Sequence, residues 1–89
     1  MVSEVVSDID IDIHTLFTEN GWNFLNHNYG YTYTKFGHET DPFCVRNEGN
    51  VIHVIVPIKN SEFQYRTSFR DSLKASEYLK MRFLSFINN

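Results

Sequence analysis

The run VIHVIVPI, residues 51–58, constrains this chain more than any other feature. Its apolar side chains fall on both parities of a strand, so the run belongs in the middle of a sheet, covered on both sides for part of its length. Pro57 has no N–H to give to a ladder, which puts it near the strand's end, at a bulge or beside an edge. Upstream, Asn47-Glu48-Gly49-Asn50 reads as a hairpin connection from an extended segment over residues 43–46. Downstream, Lys59-Asn60-Ser61 is a second tight connection into a last strand over residues 62–69. There Phe63, Tyr65 and, less strictly, Phe69 alternate.

The same grammar extends toward the N-terminus. Tyr29, Tyr31 and Tyr33 alternate with Gly30, Thr32 and Thr34, a strand pattern. Before them Trp22, Phe24 and His27 line one side of a short segment that ends in turn residues 26–30. The stretch GHETDP, residues 37–42, is a loop.

Both ends carry helical spacing. In SDIDIDIHTLF, residues 7–17, isoleucines alternate with aspartates as they would on a half-wet strand. Yet Val5, Val6, Ile9, Ile13, Leu16 and Phe17 share one side at about 100° per residue. The helix accounts for more residues and is expected over residues 8–20. Ser7 or Asp8 would cap it, its acids would suit the N-terminal dipole, and Asn20-Gly21 would stop it. The β-branched isoleucines keep a short initial strand as the alternative. At the other end Asp71 or Ser72 can cap a helix to residue 87, with Ala75, Leu79, Phe83 and Phe86 as its inward stripe and Tyr78 at the border. The fold expected is a single small α+β domain over residues 1–89, with residues 1–6 fraying. Its order is α-β-β-β-β-α: an antiparallel meander sheet packed against N- and C-terminal helices.

At 89 residues such a domain buries only about 60% of its unfolded surface, so its core must be dense. Eight Phe and five Tyr supply it. The single cysteine, Cys44, cannot close an internal disulfide, and a reduced, cytoplasmic setting is the default expectation. No apolar run reaches the ~20 residues of a membrane helix, and no signal peptide is evident. Eleven acids against eight bases, a net charge of −3, argue against binding dominated by phosphate contacts.

Enzyme signatures are absent at this level. His14, His27, His38 and His53 lack the short paired spacings of a metal site, and His38-Glu39-Thr40-Asp41 suits an ordinary polar loop, so no metal or cofactor is expected. Cys44 sits between Phe43 and Val45 in a strand, where a cysteine behaves as a small apolar residue. No serine lies in a G-x-S-x-G elbow or a sequence arrangement suggesting a triad, and no glycine-rich loop cradles phosphate.

Binding surfaces are better represented. Tyr29, Tyr31 and Tyr33 are candidate partner contacts, as are Leu73, Met81 and Leu84 on the far side of the last helix, and Asp8, Asp10 and Asp12 toward a basic partner. An alternative site for single-stranded nucleic acid or nucleotide joins Tyr31 with Arg66, Arg70, Lys35 and Lys74, the tyrosines stacking bases and the cations meeting phosphates. The leading expectation is a non-enzymatic protein-binding module, its partner a protein. In character the compact, acidic, aromatic- and asparagine-rich chain resembles the small inhibitors that viruses and mobile elements direct at host macromolecules. A homodimer or a structural subunit of a larger assembly is the third class.

Overall fold

The computed structural model describes residues 8–88, with side chains from residue 12 onward. The opening stretch is helical: α1 spans Asp8–Glu19. Ile13 and Phe17 are buried on its inner side and Leu16 packs beside them. Capping by Ser7 lies outside the described residues.

The helix ends where Asn20-Gly21 places the stop. The Gly21 N–H donates to the Thr18 carbonyl and the Trp22 N–H to the Phe17 carbonyl, both at 3.0 Å, with Gly21 at φ +85°. These bonds, with one from the Asn20 N–H to the same Phe17 carbonyl, satisfy carbonyls of the last helical turn, and glycine takes the left-handed conformation without a Cβ clash. The reversal delivers Trp22 into the core, edge-on to Phe17.

Five strands follow: β1 Asn23–His27, β2 Gly30–Thr34, β3 Phe43–Glu48, β4 Val51–Pro57 and β5 Gln64–Phe69. They pair consecutively and antiparallel in the order β1-β2-β3-β4-β5. The α+β meander is therefore present with one strand more than the four expected, because the short segment after Trp22 pairs fully with β2. The β3–β4 hairpin turns on Gly49 at φ +63°, a glycine at the first of two loop positions, which suits the twist of antiparallel strands. Gly30 is required for a different reason. At φ +155° it lies so close to β3 that a Cβ there would overlap the Val45 carbonyl.

The closing helix, α2, spans Ser72–Ile87, and its N-cap Asp71 accepts a hydrogen bond from the Leu73 N–H at 2.9 Å. Ala75, Leu79, Phe83 and Phe86 are buried, as their spacing predicts. They meet Tyr33, Phe43, Val45, Val54 and Val56 of the sheet, with Phe17 and Trp22 completing the cluster. Phe17 lies at its centre, its ring 4.0 Å from Tyr33, 3.9 Å from Phe83 and 5.3 Å from Phe43 between centroids. Each such ring removes roughly 150–250 Å² from water, so a chain this short needs no covalent staple.

Both helices lie on one side of the sheet. VIHVIVPI, expected to be covered on both sides for part of its length, has the helices on one side, and on the other parity Pro57 is buried at the strand's end. Val54 and Val56 are buried beneath the helices, whereas Val51, His53 and Ile55, at alternate positions, are only half-buried. β4 does have neighbours on both edges, and Pro57 falls at its last position, where a missing N–H costs least.

Candidate functional site: the open face of the sheet

Register assigns every strand residue to a face. Leu25, Thr32, Cys44, Ile55 and Arg66 are successive cross-strand partners and form one row across all five strands on the side away from the helices. The adjoining row runs His27, Gly30, Arg46, His53 and Ser68. Leu25 is 62% exposed. Cys44 and Ile55 are half-buried, and Arg46 and Arg66 are exposed.

The polar groups on this face are organised. The Thr32 hydroxyl donates to Cys44 Sγ at 3.6 Å and lies 3.0 Å from His27 Nε2. His53 stands between two partners: Nδ1 is 2.7 Å from Ser68 Oγ and Nε2 is 2.8 Å from Glu48 Oε1. No local sequence spacing joins a serine, a histidine and a carboxylate here. The β4–β5 register makes His53 and Ser68 direct partners, and Glu48 reaches in from the end of β3.

The tyrosine candidates lie elsewhere. Tyr33 is 2% exposed, stacked flat on Phe17, with its hydroxyl 3.0 Å from His14 Nδ1. Its expected role as a contact residue is corrected by that burial. Tyr31 is half-buried on the same helix-covered side, with Phe24 and Tyr33 as ring neighbours. Only Tyr29, in the β1–β2 turn, is well exposed.

The nucleic-acid set does not come together as one surface. Tyr31 and Arg66 are on opposite faces, Lys74 is in the exposed first turn of α2, Arg70 follows the end of β5, and Lys35 lies beside Gly21. Of the helix candidates, Leu73 and Met81 are exposed and Leu84 is half-buried. Leu73 lines a groove between the helices with Asp12, Ile13, Ser76, Glu77 and Lys80. Asp12 is exposed beside that groove, while the side chains of Asp8 and Asp10 lie outside the described residues.

The compact loop cluster serves its own structure. His38 stacks on Trp22 and sits 3.9 Å from Asp41, while Glu39 accepts the Gly37 N–H at 3.0 Å. That backbone bond holds the Glu39 carboxyl below its ordinary pKa. Among the described residues no helix is long and apolar enough to cross a membrane.

None of Leu25, Ile55, His53, Ser68 and Glu48 is a site candidate in the sequence, where His53, set among apolar strand residues, reads as a hydrogen-bonded structural histidine. The alternation within VIHVIVPI, with His53 and Ile55 on the opposite parity to Val54 and Val56, was the available signal for two of them. Comparison with protein families, with curated proteins and with solved structures finds no match to this chain.

Proposed function

We propose that this chain is a protein-binding module whose contact surface is the open face of its sheet. The observation that carries the reading is the row Leu25, Thr32, Cys44, Ile55 and Arg66, covered by neither helix among the described residues and without charge until its last member. An antiparallel sheet face that meets only water is polar at its outward positions. Leu25, Val51 and Ile55 depart from that rule. An apolar centre flanked by arginines, here Arg46 and Arg66, is the composition of a protein contact. Because these side chains stand on paired strands rather than on loops, little backbone ordering opposes binding.

A small inhibitor covering the working surface of a host macromolecule, of the viral or mobile-element type, is the form of this reading that suits the chain's size and character. A cytoplasmic setting suits its lone, half-buried thiol. Self-association through the same face would instead give a homodimer or a subunit of a larger assembly, which light scattering distinguishes. The nucleic-acid alternative is disfavoured because its stacking residues Tyr31 and Tyr33 face the helices, away from Arg66.

Affinity capture of the tagged chain from its native cell, split into nuclease-treated and untreated halves, tests the proposal. A stoichiometric protein that survives nuclease is the expected result. Recovery of nuclease-sensitive nucleic acid alone would overturn it.

A further inference from the structure

Three side chains from consecutive strands stand in hydrogen-bonded sequence on the open face: Ser68 on β5, His53 on β4 and Glu48 on β3. The acceptors settle where the proton resides. An ionised carboxylate only accepts, so with Glu48 Oε1 at 2.8 Å the hydrogen of the neutral imidazole is on Nε2. Nδ1 is thereby left as an acceptor, and the Ser68 hydroxyl at 2.7 Å donates to it. A hydroxyl nucleophile bonded to a base, with the base oriented by a third group, is the arrangement that activates serine.

We propose that Ser68 is an activated nucleophile that takes the acyl group of small, activated carboxylic esters, with His53 as its base and Glu48 as the positioning residue. Ser68 Oγ attacks the carbonyl carbon while its proton passes to His53 Nδ1. The tetrahedral oxyanion collapses, the ester C–O bond breaks, and the proton on His53 goes to the departing oxygen. The acyl group remains on Ser68 until water attacks; His53 takes the water's proton and returns it to Ser68 Oγ, releasing the carboxylic acid. Arg66, two residues before Ser68 on the same face, is the positive charge nearest to Ser68 along β5 on this side of the sheet. The site is open, with the Glu48 side chain 54% exposed, so it suits short acyl groups with good leaving groups rather than bulky substrates that need a walled pocket.

Incubation of the intact chain with p-nitrophenyl acetate, followed by peptide mapping of acetylated residues over time, tests this. Ser72 and Ser85, both exposed on α2, are internal references in the same molecule. Base assistance predicts that Ser68 acetylates about 10²-fold faster than either reference. His53→Gln, which can still bond both neighbours but cannot take the proton, should bring Ser68 down to the reference rate. Glu48→Gln, whose amide can donate to Nε2 and so favours a hydrogen on Nδ1, should slow Ser68 and alter the pH profile of acetylation. Acetylation of Ser68 no faster than of Ser72 and Ser85 overturns the proposal even if a variant fails to fold. So does a rate unchanged in a folded His53→Gln.

Discussion

Tyr33 lies flat against Phe17, their ring centroids 4.0 Å apart and their planes within 6° of parallel. This contact ties β2 to α1 and decides which side of the sheet is covered. Truncating either ring should be among the most damaging single changes, since Phe→Ala in a core costs about 3–5 kcal/mol. Tyr33→Phe keeps the stack and removes only the hydroxyl that meets His14, for a loss of about 0.5–1.5 kcal/mol. Urea titrations followed by Trp22 fluorescence should separate the two classes.

Gly30 and Gly37 both have positive φ, but only Gly30 is hemmed in by backbone. A Cβ at Gly37 meets nothing within 4 Å, whereas one at Gly30 would overlap the Val45 carbonyl. Gly37→Ala should cost about 1–2 kcal/mol, the strain of a left-handed L-residue. Gly30→Ala should cost more, because the β2–β3 ladder must also move apart. Equal unfolding midpoints for the two variants would contradict this.

Asp71 accepts the Leu73 N–H at the start of α2. Asp71→Ala leaves that donor without its cap and should lower stability by about 1 kcal/mol, while Asp71→Asn should retain most of it. Denaturant midpoints check the ranking. If alanine and asparagine are equivalent, the cap contributes nothing.

Much of the fold was legible because its signals are local. The stripe Ala75, Leu79, Phe83 and Phe86 announced α2, and Asn20-Gly21 announced the end of α1. The fifth strand was undercounted because NFLNH has little alternation to mark it as a separate strand, and its pairing with residues 30–34 does the rest. The site was less legible. Alternating Tyr and Thr in β2 says strand but not which parity faces a helix; Phe17 and Phe83 decide that from distant parts of the chain. Likewise Ser68 meets His53 only through the β4–β5 register, which the turn between them sets and neither residue's neighbours reveal.

The central claim is that the open sheet face, rather than the outer side of α2, makes the protein contact. Capture from nuclease-treated native-cell extract should be compared for three folded proteins: the unaltered chain, Leu25→Asp with Ile55→Asp, and Leu84→Asp. Leu25 is well exposed and Ile55 half-buried, so the double variant should retain its fold, as circular dichroism would show. The expected result is loss of the stoichiometric partner in the sheet variant and its retention in Leu84→Asp. Retention in the sheet variant with loss in a folded Leu84→Asp would move the contact surface to the helix and contradict the claim.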